Sequence, residues 1–212
     1  PDGPYWLAGY SAGGMIAYAA AQVLRRANQK VARVLILDTF APGALPQQFS
    51  TDWNDTQQLL ALAQEIAGLE RLAGPLFETA EQEMHFAALP LEEQLAVLVQ
   101  RLQHLSPKPL ALSKDHLRGL FRSSKATMQA METYCPETRQ LVPLTLLRTE
   151  PVPEREAADA GDAAMGWGAF AAGPVDLHYV PGDHQSMMRE PHIRIVAECL
   201  AASLQVHDQS VL

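Results

Sequence analysis

The chain has 212 residues, 48% of them hydrophobic, enough to bury one substantial core. Its net charge of −8 and its scattered basic residues exclude a nucleic-acid surface. Its two cysteines, Cys135 and Cys199, are too few for a disulfide framework and fit a reducing, cytoplasmic setting. There is no apolar run of the ~18 residues that a membrane span needs, and no secretory signal opens the sequence.

The first element is the apolar run "YWLAG" at 5–9, read as a buried strand. It turns on glycines into a helix read from Met15 to Leu24. Ser11 stands on that turn in the pattern Gly-x-Ser-x-Gly, where a nucleophile would be displayed. A bend this sharp is expected to need bare backbone at Gly9 and Gly13, with Gly14 letting the helix approach the sheet. The helix start would place the Ala12 N–H, and the positive end of the helix dipole, beside an oxyanion formed at Ser11. A strand apolar on both faces belongs in the middle of a parallel sheet. The expectation is therefore a sheet whose earlier strands precede residue 1, an N-terminally incomplete single domain over 1–212.

The next strand, "VARVLIL" at 31–37, ends at Asp38. Roughly a hundred residues separate it from the third strand, far more than a normal crossover, so an insertion of about 50–135 is expected. It reads as helical. Asn54 or Asp55 caps a helix carrying Leu59, Leu62, Ala63, Ile66 and Leu69. Pro90 opens a second, with Leu91, Leu95, Leu98 and Leu102. A third follows Ser113, with Leu117, Leu120, Phe121, Met128 and Met131 on one side and Lys114, Arg118, Arg122 and Lys125 exposed. Following the strand that ends at Asp38, these helices would roof the site as a lid.

The third and fourth strands are "LVPLTLL" at 141–147, followed by Glu150, and "VDLHYV" at 175–180. Between them "PVPEREAADAGDAAMGWG" reads as a mobile loop with at most a short helix. A last helix, about Pro191 to Leu204, would cover one face of the sheet, and "QVHDQSVL" reads as a frayed tail. Strands alternating with helices give an α/β fold with a mostly parallel sheet and helices on both faces.

A serine is a weak nucleophile without a base, and the base needs a partner that fixes its tautomer. Of seven histidines, His184 follows the fourth strand in the turn-rich "PGDHQSMM", which delivers it to the carboxyl edge of the sheet, where Ser11 lies. His178 sits within the strand; His85, His104, His116, His192 and His207 fall on helices, a helix start or the tail. Asp183 is read as a cap of its loop. Asp38 and Glu150 both satisfy the chain order serine, acid, histidine.

"GYSAGGMIAYAAAQVL", "VLILDTFAP" and "VPGDHQSMM" together resemble the thioesterase domains that end modular nonribosomal peptide and polyketide synthases, a branch of the α/β-hydrolases. The order of parts matches over nearly the whole chain. The resemblance implies a triad of Ser11, His184 and Asp38, since such domains commonly carry the acid at the end of the strand after the nucleophile helix. Standalone editing (type II) thioesterases usually place it one strand later, near Glu150.

The resemblance also implies the reaction: an acyl or peptidyl chain passes from the phosphopantetheine of an upstream carrier protein to Ser11 and leaves by hydrolysis or macrocyclisation. The second oxyanion donor would come from a loop after an earlier strand. No metal and no directly bound cofactor are implied. The competing readings are a discrete editing thioesterase or small-ester hydrolase, and a non-enzymatic relative used for binding.

Overall fold

The computed structural model describes residues 3–44, 53–70, 72, 74–136, 141–150 and 162–205, apart from the side chain at 205. It divides into two compact units, one formed by Pro1–Phe49 with Met131–Leu212 and the other by Ser50–Ala130. His207, the tail from 206 onward and "PVPEREAADAG" at 151–161, the first part of the expected loop, lie outside the described residues.

The first unit is built on a parallel sheet of β1 (Tyr5–Tyr10), β2 (Val31–Leu37), β3 (Leu144–Thr149) and β4 (Asp176–Val180), in that spatial order. Among the described residues β1 pairs with β2 alone, and none of its six residues is fully buried. Helix α1 (Ala12–Arg26) connects β1 to β2.

Side chains alternate along a strand, so each strand serves two cores. On one face Val34, Ile36, Leu144 and Leu146 pack with Ala17, Tyr18 and Ala21 of α1. On the other, Leu37, Leu147 and Val180 pack with Met187 and with Val196 of α6 (Ile193–Gln205). Helices therefore cover both faces, as expected.

Two segments differ from the reading of the sequence. β3 begins at Leu144 rather than 141, because Pro143 has no N–H to give the ladder; before it only an isolated bridge, Val142 to Ala171, forms. It also runs past Leu147 through Arg148, whose guanidinium donates to the Ala163 carbonyl at 2.9 Å, to Thr149. The end of the expected loop and the residues just after it reach into the core. Met165, Trp167, Phe170 and Ala171 are buried, and Tyr18, Trp167 and Phe170 meet edge to face. The Trp167 indole N–H donates to the Thr39 carbonyl at 2.6 Å, fastening this segment just beyond Asp38.

The second unit comprises α2 (Asp55–Glu70), α3 (Ala80–Ala87), α4 (Leu91–Leu105) and most of α5 (Lys114–Thr133). Of the two candidate caps for α2 it is Asn54 that acts: its carboxamide oxygen accepts from the Gln57 N–H while Gln57 returns a bond to the Asn54 N–H, both at 2.9 Å. Ser113 caps α5 through the His116 N–H. Helix α3 was not expected, though "TAEQ" carries its start signal. The Thr79 hydroxyl accepts from the Gln82 N–H, and Gln82 reaches back to the Glu78 N–H. Leu59, Ala63, Leu95, Leu98, Leu102, Leu117 and Phe121 form this unit's core. Leu69 and Leu120, assigned to the apolar stripes, are exposed. Lys114 and Arg118 meet Glu92 on α4, and Lys125 meets Asp55 on α2.

Both cysteines are free; Cys135 is exposed and Cys199 is half-buried on α6. Burial pushes the Cys199 thiol up, helped by the negative charges of Glu198 and Asp176. Iodoacetamide is accordingly expected to alkylate Cys135 well ahead of Cys199. Peptide mass spectrometry over a time course would show it, and equal rates would contradict the difference in environment. Among the described residues no helix is long and apolar enough to cross a membrane.

Candidate active site

The parallel register brings four strand ends to one edge. Just past β1, β2 and β3 the ladder takes one more step: Ser11 N–H donates to the Leu37 carbonyl at 3.0 Å, Asp38 N–H to Leu147 at 2.7 Å, and Glu150 N–H to Val180 at 3.1 Å. Ser11 and Asp38 thus sit at equivalent positions on neighbouring strands. Both also have left-handed backbone, with φ of 53° and 50°. Such a conformation costs a non-glycine residue roughly 1 kcal/mol or more, and strain of this kind gathers at functional sites.

Ser11 is the N-cap residue of α1, a position where serine ordinarily satisfies a helix N–H with its hydroxyl. Here that bond is not made. The Oγ instead lies 3.1 Å from Nε2 of His184. The Ala12 N–H, first in the helix, has no acceptor within α1 by helix geometry and stands at the positive end of the dipole.

The glycines around the elbow act unequally. A Cβ at Gly9 would lie 1.9 Å from the Gly13 carbonyl oxygen, so only glycine fits. A Cβ at Gly14 would meet Thr39 Oγ1 at 2.8 Å and Ile36 at 3.2 Å, the close helix-to-sheet approach that was expected. A Cβ at Gly13 would meet nothing within 4 Å. The need for bare backbone at Gly13 is therefore not borne out: its carbonyl is what crowds Gly9, and its own Cβ direction is open. Thr39, buried beside Asp38, donates its hydroxyl to the Ser11 carbonyl and so braces the elbow from the next strand.

His184 is presented by a loop that closes on itself. The Asp183 carboxylate accepts the N–H groups of Gln185 at 2.9 Å and Ser186 at 2.8 Å, and the Ser186 hydroxyl accepts the Asp183 N–H. Asp183 is thus the loop cap it was read to be. The imidazole Nδ1 lies 2.8 Å from Asp38 Oδ2. The other oxygen, Asp38 Oδ1, accepts the Thr149 N–H at 3.1 Å and its hydroxyl at 3.3 Å. The Asp38 side chain is 6% exposed against 33% for His184, so the acid is sealed while the base faces outward.

Ser11, His184 and Asp38 therefore form one hydrogen-bonded line. Glu150 is exposed, and the Nδ1 it would have to reach is held by Asp38. His178 lies on β4 with Nε2 near Asp176. His85, His104 and His116 are on α3, α4 and α5, and His192 directly precedes α6. Two contributors were not named from the sequence: Thr149 behind the acid, and Tyr10 against the base. Among the described residues no group of histidine, cysteine, aspartate and glutamate side chains could hold a metal ion.

The chain is 30% identical over 200 residues to the chondramide synthase of Chondromyces crocatus, covering 93% of this chain and 5% of that one. It is 26% identical over 216 residues to a non-reducing polyketide synthase of Pseudevernia furfuracea, covering 96% and 9%. It thus spans under a tenth of the length of either relative. Among solved structures, a four-domain nonribosomal peptide synthetase in its holo form, bound to AMP and glycine, superposes with a TM-score of 0.77 at 26% identity. The match covers 94% of this chain and 14% of that one. The family model described as "Thioesterase domain" matches residues 1–204, and the chain belongs to that family.

Proposed function

We propose that this chain is the chain-releasing thioesterase domain of a biosynthetic synthase, with Ser11 as nucleophile, His184 as general base and acid, and Asp38 as the acid that orients it. The observation that carries the proposal is the line from Ser11 Oγ to His184 Nε2 at 3.1 Å and from Nδ1 to Asp38 at 2.8 Å. The Asp38 carboxylate accepts the Nδ1 proton, which leaves the Nε2 lone pair for the serine O–H.

Ser11 Oγ attacks the thioester carbonyl of a chain carried on phosphopantetheine, and its proton passes to Nε2. The oxyanion is held by the Ala12 N–H at the start of α1. As the C–S bond breaks, His184 returns the proton to the departing thiol, leaving an acyl ester on Ser11. Water, or a hydroxyl or amine of the chain itself, then gives a proton to His184 and attacks the ester. Ser11 is reprotonated as the product leaves.

The substrate would arrive on a carrier-protein domain, in keeping with the multidomain synthases among the relatives. The acid at Asp38 rather than Glu150 supports the synthase-terminal class over the standalone editing class. The helical unit is inserted after the strand that ends at Asp38, and on that connectivity we assign it the part of a lid. The free cysteines fit the cytoplasmic compartment we assign.

The test is a trapped intermediate. Mixed with an acyl-pantetheine thioester and quenched early, the full-length protein is expected to carry the acyl mass on the peptide that contains Ser11. The Ser11→Ala variant is expected to carry none and to release no free thiol. Thiol release by Ser11→Ala at the wild-type rate would refute the assignment.

A further inference from the structure

We infer that Tyr10, the residue between Gly9 and Ser11, is a positioning residue for His184, gripping that histidine at both its ring and its backbone. The inference rests on the proposed role of His184 as the base. Tyr10 is the last residue of β1, and its side chain packs beside the cluster of Leu37, Leu147, Val180, Met187 and Val196. Its ring lies against the imidazole with centroids 4.8 Å apart and planes inclined by 23°, a stacked pair. Its phenol O–H donates to the backbone carbonyl of His184. One side chain, adjacent in sequence to the nucleophile, thus holds a base 174 positions further along the chain.

Two in-plane bonds, to Asp38 and Ser11, leave the imidazole free to tilt about the line joining them. A flat ring against its face removes that freedom. Hydrogen bonds within the loop that carries His184 run through Asp183 and Ser186, while Met187 packs it on Leu37, Leu147 and Val180. The phenol bond ties it to β1, the strand that leads into Ser11. A residue serving only to fill the apolar cluster would need no hydroxyl. When His184 takes the serine proton it becomes a cation lying on an electron-rich face, so the same stack favours the charged form that the transition state requires.

The experiment compares Tyr10→Phe, which keeps the ring and loses the O–H, with Tyr10→Leu, which loses both, in the full-length protein. Two readouts are taken: steady-state thioester hydrolysis and the rate at which a fluorophosphonate labels Ser11. We expect kcat to fall roughly 5-fold for Tyr10→Phe, the weight of one hydrogen bond. For Tyr10→Leu we expect roughly 30-fold, stack and bond together. KM should hold steady in both, because the residue acts through the base and not on the substrate.

In a His184→Ala background, Tyr10→Leu is expected to cost nothing further, since there is no imidazole left to place. An equal loss in both backgrounds, or a change in KM with kcat intact, would overturn the inference. If Tyr10→Leu does not fold, Tyr10→Phe decides alone, and a wild-type kcat there overturns it. Absence of labelling in the wild type would instead count against the serine-hydrolase reading of the whole site. Wild-type labelling matched in rate by Tyr10→Leu would count against Tyr10 only.

Discussion

Replacing Asp38 by asparagine is expected to lower kcat by about 10⁴ while leaving the fold intact. The cause lies in what surrounds the carboxylate. Oδ1 accepts two donors from Thr149, its N–H and its hydroxyl, and Oδ2 faces Nδ1 of His184. An asparagine keeps its one carbonyl oxygen toward the Thr149 donors, because an amide N–H₂ turned that way would meet the Thr149 N–H, donor against donor. Its N–H₂ is therefore forced toward Nδ1. His184 must then accept at Nδ1 and carry its proton on Nε2, the tautomer that cannot take a proton from Ser11.

Glu150→Gln, by contrast, changes an exposed side chain, and its kcat is expected to stay within about 2-fold of wild type, as surface substitutions generally do. Turnover of one thioester by the three proteins side by side is the measurement. A larger loss in Glu150→Gln than in Asp38→Asn would move the acid to Glu150 and with it the choice of thioesterase class.

Ser11, Asp38 and His184 were legible because each carries a local signal, a polar residue closing an apolar strand or lying in a turn just beyond it. In a parallel sheet those local positions share one edge, so three separate readings converge without any knowledge of side-chain contacts. The residues that support them carried no such signal. Tyr10 and Thr149 lie just beyond the strands read at 5–9 and 141–147, and each gains its role from a partner more than a hundred positions away.

The Met165 to Ala171 segment was misread for a related reason. Its glycines and alanines suggest a loop, while the apolar spacing of Met165, Trp167 and Phe170 follows neither the strand nor the helix period. Tertiary burial, with Tyr18 as the partner ring, orders it instead. At β3 the missing N–H of Pro143 delays the ladder to Leu144, although the apolar run begins at 141.

Gly9→Ala and Gly13→Ala, two substitutions within one five-residue motif, are expected to part company. A methyl at Gly9 would stand 1.9 Å from the Gly13 carbonyl oxygen and 2.1 Å from its carbon. Both are backbone atoms of a helix already fixed by the Gly14 to Ser11 hydrogen bond of 2.8 Å and pressed against Thr39 on its far side. No rotamer change relieves that clash, so the start of α1 has to move away from β1.

Ser11 lies on the hinge of that movement, and a displacement of about 1 Å at a reacting group costs on the order of 10² in rate. Gly9→Ala is therefore expected to lose at least that much turnover and roughly 3 kcal/mol of stability, the upper range for overpacking. A methyl at Gly13 meets nothing, and alanine is favoured over glycine within a helix by about 1 kcal/mol. Gly13→Ala should melt at or above the wild-type temperature. Thermal unfolding of both variants, with kcat measured on Gly9→Ala, tests the pair. A Gly9→Ala protein with wild-type melting and turnover would mean that the elbow is not held by this contact.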